Sequence, residues 1–130
     1  MTEETLQDIE DGKYRAGEVW NYETCPGFEG STLTVLKVES SSRVGVIVHI
    51  SVDGFRVASP HAPNGAYEKI GHMPFAEEAI ERSVTNRAAV GTALPADNEG
   101  YEEWRRARGG VFTITVAEAV DLVLGVVPRG

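Results

Sequence analysis

The sequence is poor in residues that announce a known chemistry. It holds one cysteine, Cys25, so no disulfide can close within the chain, which fits a reducing compartment. It has no phosphate loop and no GxGxxG, HExxH, CxxC or GxSxG. No apolar run approaches the ~20 residues of a membrane helix, so no membrane is expected as a partner. The opening MTEETLQDIEDGKYR is acidic and lacks the apolar centre of a signal peptide, which makes the cytoplasm the expected location. Positive charge is also scarce: 12 Lys and Arg stand against 20 Asp and Glu, a net −8. Residues 1–30 hold Glu3, Glu4, Asp8, Glu10, Asp11, Glu18, Glu23 and Glu29 against Lys13 and Arg15. An acidic surface repels phosphates and disfavours nucleic acid as a partner. The acidic segment reads as a solvated tail or as a face for a basic protein partner.

What is present suits one globular domain: 130 residues, 42% hydrophobic and 25% charged. The expected division is a flexible acidic tail over 1–12, a single α+β domain over 13–125 and a C-terminal tail over 126–130. Thr5–Glu10 has the pattern of a short helical turn. In VGVIVHISVDGFRV (Val44–Val57), Val46, Val48, Ile50 and Val52 alternate with Ile47, His49, Ser51 and Asp53. That alternation predicts a strand with one buried face, the other face being partly polar or covered by a helix. Burying the four apolar side chains at ~2 kcal/mol each contributes on the order of 8 kcal/mol before entropy is subtracted. Asp53-Gly54 predicts a two-residue hairpin turn, with Phe55–Val57 returning as a short strand.

Glu18–Thr24 and Ser31–Glu39 read as further strands, and Ala58–Tyr67 as a Pro-, Gly- and Asn-rich loop. Pro74 predicts a helix start. The stripe Ala76, Ala79, Ile80, Ser83 and Val84 lies on its inner face, and Glu78 and Arg82 pair outside. A loop is expected from Asn86 to Asp97, then a helix over Glu99–Arg108 capped by Asp97 or Asn98 and ended by Gly109-Gly110. Val111–Thr115 reads as a strand. Thr115 and Glu118 form a capping box that opens a last helix, Val116–Leu124. The fold class is α+β: an antiparallel, strongly curved sheet or small barrel in the first half, with three short helices and one further strand in the second.

Few residues are candidates for chemistry. His49 and His72, with Asp53, lack any recognisable ligand spacing, so neither a metal nor a cofactor is expected. Trp20, Tyr22, His49, Arg56 and His72 can line a ligand pocket where sheet meets helix, His49 and Arg56 being awkward in a dry core. Tyr101, Trp104 and Arg105 are candidates for a partner surface. The competing reading packs Trp104 inward and pairs Glu102 with Arg106. Cys25 sits near Glu23 and Glu29, whose charges oppose a thiolate.

YRAGEVWNYETCPGFEGSTLTVLKVE (Tyr14–Glu39), GHMPFAEEAIERSVT and GYEEWRRARGGVFTITVAEAVD together resemble a family of small stand-alone bacterial proteins of unknown function. The resemblance implies a single-domain bacterial protein. Gly17-Glu18-Val19-Trp20 and Gly30-Ser31 are similar to the opening of PemK-type toxin endoribonucleases, which implies an SH3-like barrel. The chain departs from that pattern in having no Arg-Pro after Gly30-Ser31. The functional expectation is a bacterial binding protein that recognises a protein or small ligand through a sheet face. The alternative is a small hydrolase or endoribonuclease-like barrel with His49 or His72 as general base and Arg56 stabilising negative charge. Pairing at the Glu18–Thr24 edge would make a homo-oligomer.

Overall fold

The computed structural model describes residues 5–10 and 12–125. The expected C-terminal tail, 126–130, lies outside the described residues, as do residues 1–4 and Asp11 of the expected acidic tail. The elements run β1 (Leu6–Asp8), β2 (Val19–Tyr22), β3 (Thr32–Ser41), β4 (Gly45–Ala58), β5 (Ala66–Ala76), α1 (Glu77–Ser83), β6 (Val84–Ala89), α2 (Glu99–Ala107) and α3 (Val116–Leu124). The fold is α+β: one open six-stranded sheet with three helices, so of the two expected forms the sheet is found and the closed barrel is not. Its order is β5-β4-β3-β2-β6, with β1 beside the far end of β3, and every strand pair is antiparallel.

Leu33 and Val35 of β3, Val48, Ile50 and Val52 of β4, and Met73 and Phe75 of β5 share one sheet face and are fully buried. Ala79 and Ile80 of α1 and Val116, Ala119 and Val120 of α3 pack onto that face. The capping box that opens α3 is present: the Thr115 hydroxyl accepts from Glu118 N at 3.2 Å, and the Glu118 carboxylate accepts from Thr115 N at 3.0 Å. The opposite sheet face carries Ile47, His49 and Ser51, all buried, and α2 lies over it, with Tyr101 and Trp104 against His49.

Several local expectations are corrected. Asp53-Gly54 is not a hairpin turn. β4 continues through it to Ala58, and two extra residues of β4 are accommodated between the pairs Asp53↔Lys69 and Val57↔Tyr67. Gly54 takes φ +83°, and a side chain there would meet Gly30 O at 2.7 Å, so glycine serves a bulge and a close approach rather than a reversal. Pro74 lies inside β5 and does not start a helix. Its carbonyl accepts from Phe112 N on the outer side of the strand, so its missing N–H faces away from β4 and costs no ladder bond.

Other segments differ as well. Thr5–Glu10 contains the strand β1 instead of a helical turn, and Val84–Ala89, partly expected as loop, is the strand β6. Val111–Thr115 reduces to a single bridge between Phe112 and Phe75. Arg82 donates to Thr113 O and makes no ion pair with Glu78, while Arg106 pairs with Glu103 at 3.5 Å instead of Glu102. β2 is not a free edge, because β3 and β6 flank it; β6 is the outer strand.

Candidate functional site

The polar face under α2 owes its side chains to two register shifts. In β3, Val35 pairs with Ile50 but Lys37 pairs with His49, so β3 holds one extra residue. Strict alternation from Leu33 and Val35 would put Lys37 and Glu39 in the apolar core. The extra residue sends Val38 there and turns Lys37 and Glu39 to the side of His49. In β5, Met73 pairs with Ile50 and Ile70 with Val52, so one residue is extra again. Without it, His72 would share the core face with Ile70; with it, His72 faces His49. Bulges of this kind re-aim side chains at sites.

The result is a line of proton-carrying atoms. Glu39 Oε2 lies 2.6 Å from His49 Nε2, and His49 Nδ1 lies 2.8 Å from His72 Nε2. Tyr101 donates its hydroxyl to Glu39 Oε1 at 3.0 Å. The two imidazoles stack at 5.1 Å between centroids, and Tyr101 and Trp104 meet His49 edge-on at 4.9 and 4.8 Å. Trp104 is held by its Nε1 donating to Gly110 O at 2.9 Å. His49 is 0% and Glu39 1% exposed, so both are cut off from water. Among the described residues no buried side-chain N or O lacks a partner. His72 Nδ1 makes no hydrogen bond, and so it is the atom of the line that reaches solvent.

Burial dominates the electrostatics. It raises the Glu39 carboxyl above its ordinary value, against the lowering by the Tyr101 hydroxyl and Lys37. It lowers His49 to about 4, with Lys37 adding to the effect. His72 falls to about 4 as well, through burial first and His49 second. A close carboxylate ordinarily favours an imidazolium, but here desolvation of the pair outweighs that attraction, and both rings are neutral at pH 7. Burial, then the Glu39 carboxylate, pushes the Tyr101 hydroxyl well up, so it remains a donor.

The line ends at a cavity of about 250 Å³ whose wall includes His72, Lys37, Tyr101, Leu94, Asp97 and Gly100. Lys37 pairs with Asp8 at 2.6 Å, and its ammonium sits 5.4 Å from the Tyr101 ring centre. Gly100 lets α2 seat on β5, since a side chain there would come within 2.7 Å of His72 Cβ.

Of the sequence candidates, His49, His72, Tyr101 and Trp104 therefore converge. Trp20 and Tyr22 do not: both pack with the apolar core, Trp20 donating to Glu18 at 3.2 Å and Tyr22 bonding Ser31 at 2.8 Å. Arg56 lies beyond the Gly54 bulge, exposed and 3.4 Å from Glu68. Arg105 is on the exposed side of α2, so the expected partner surface of Tyr101, Trp104 and Arg105 is divided between inside and outside. Asp53 is exposed and apart from the histidines, and no group of three or more His, Cys, Asp or Glu among the described residues can hold a metal. His61 is exposed in the β4–β5 loop. Cys25 donates to Ala117 O at 3.4 Å; its pKa is raised, by burial first and Asp121 second, and not by Glu23 or Glu29.

Sequence reasoning misses Glu39 and the Leu94–Asn98 wall. A signal for Glu39 exists: in LTVLKVE the apolar residues fall at 33, 35, 36 and 38, and the broken alternation marks the inserted residue. Compared with known proteins, the chain matches no family model, no curated protein and no solved structure, so its function is argued from this site alone.

Proposed function

We propose that this chain is a binding protein for a small ligand held in the cavity between the sheet and α2, contacted by His72. The observation that carries the reading is His72 Nδ1. It is a hydrogen-bonding atom without a partner, on a ring fixed by His49 through Nε2, and His72 is a residue of the wall of a preformed concave space. Titrating small aromatic and polar fragments while following ring 15N shifts is the test. Saturable binding that moves the His72 signals and is lost in His72→Ala supports the reading. Ligands that bind unchanged in His72→Ala, or the absence of any binder across such a set, contradict it.

The second reading is general-base catalysis by His72, favoured by the Glu39–His49 contact that orients the relay. It does not extend to Arg56, which sits with Glu68, away from the histidines. Hydrolysis of small activated esters that disappears in His72→Ala and persists in Arg56→Ala is its expected signature. Equal rates in all three proteins would remove it.

A further inference from the structure

Resting on that reading of the cavity, we propose that the ligand class is a small monocarboxylate, and that each carboxylate bound is accompanied by one proton that comes to rest on Glu39.

The line can hold its protons in two arrangements. In one arrangement Glu39 is ionised, His49 donates from Nε2 to Glu39, and His72 donates from Nε2 to His49 Nδ1. His72 Nδ1 then offers a lone pair to the cavity. In the other arrangement Glu39 is protonated and donates to His49 Nε2, and His49 Nδ1–H donates to His72 Nε2. His72 Nδ1 then carries the hydrogen. The distances of 2.6 and 2.8 Å serve both arrangements, and Tyr101 donates to Glu39 Oε1 in each. The two differ by one proton, and neither places a charge on a buried ring.

A carboxylate in the cavity meets a lone pair in the first arrangement and a donor in the second. It therefore selects the second and draws in a proton. The buried negative charge of Glu39 is replaced by that of the ligand, and the net charge of the site does not change. A dianion such as phosphate would leave one negative charge in excess. Lys37, a residue of the cavity wall, adds positive charge beside the site. The remaining charges nearby are accounted for. Asp8 pairs with Lys37, and Arg105 acts on Glu39 from α2. Asp97 accepts from Glu99 N at 2.8 Å, and Lys69, Glu99 and Glu103 line the neighbouring hollow. Burial, which raises Glu39, eases protonation of its carboxyl, and the lowered histidines keep the added proton off the rings.

Calorimetry tests this with benzoate as the probe and benzamide as its neutral counterpart, at pH 7.5, in buffers of different ionisation enthalpy. Benzoate binding should take up close to one proton, and its affinity should fall about tenfold per pH unit above neutrality. In Glu39→Gln the amide donates to His49 as the protonated carboxyl does. Uptake should vanish, affinity should become flat with pH, and benzoate should bind more tightly than in the wild type at pH 8. The wild-type proton count stands even if that variant does not fold. Benzoate binding without proton uptake, or uptake that persists in a folded Glu39→Gln, overturns the proposal. Benzamide binding at His72 without benzoate binding overturns the carboxylate class and leaves the cavity as a ligand site. Failure of both probes, together with every fragment, removes the cavity reading itself.

Discussion

At Glu39, His49 and His72 the chain places three titratable groups where water does not hydrate them freely, and the pH dependence of stability should report it. Each ring has a folded pKa of about 4 against an ordinary 6.5. The unfolded chain therefore binds more protons between those values, and the rings' contribution is present above pH 6.5 and lost as pH falls towards 4. Glu39 acts in the opposite sense: its raised folded value means that its contribution is lost as pH rises through that value. Between about pH 5 and 6 unfolding therefore takes up about two protons on the rings, less whatever proton Glu39 already holds in the folded chain. Urea unfolding between about pH 6 and 5 should show a slope of about two protons in Glu39→Gln, and a smaller one in the wild type to the extent that Glu39 is protonated there. Equal slopes would mean that Glu39 is ionised throughout. Of these residues, the two histidines stand out in the sequence as awkward in a core. Glu39 does not, because its burial depends on the extra residue near Leu36.

Among the elements, β3 and β5 decide where the site is, and α2 closes it. α2 buries no residue fully, so it is held by the contacts of Tyr101 and Trp104 with the histidine pair and by the fit of Gly100 on His72. Gly100→Ala introduces a Cβ 2.7 Å from His72 Cβ and should displace α2. The expected outcome is a loss of ~1–3 kcal/mol in denaturant unfolding together with loss of ligand binding. Retention of wild-type binding would show that α2 is not part of the cavity. The capping box of α3 is a separate device: Thr115→Ala should cost ~1 kcal/mol and leave the histidine signals where they are. That box is legible because it is a local pattern of two residues. The reading of Asp53-Gly54 as a hairpin fails for the opposite reason. Asp-Gly reports only a positive φ, and long-range pairing of β4 with β5 decides that this φ serves a bulge.

Across the whole molecule the sheet separates two environments. α1 and α3 close an apolar core on one face, and α2 covers a polar, aromatic site on the other. The α+β class, β2, β3, the first part of β4 and the three helices are legible from periodicity and end signals, because burial on one face imposes a period of two or of about 3.6, whereas β5 and β6 read as loop and helix ends. The layer to which each strand residue belongs is not legible that way, since one inserted residue reverses every assignment after it. Trp20 and Tyr22, grouped by sequence with His49, lie on the other side because Trp20 pairs with Leu33, and Leu33 with Val52, on the apolar face. Gly71 within KIGHMPF and the apolar spacing of Ile70, Met73 and Phe75 are the trace of the second insertion. The most direct measurement of this arrangement is a pH titration of the ring nitrogens of His49 and His72 by long-range 1H–15N correlation. Both rings should remain neutral well below pH 6, with midpoints near 4, and each should show one hydrogen-bonded ring proton. Titration of either ring with an ordinary midpoint near 6.5 would contradict the buried relay.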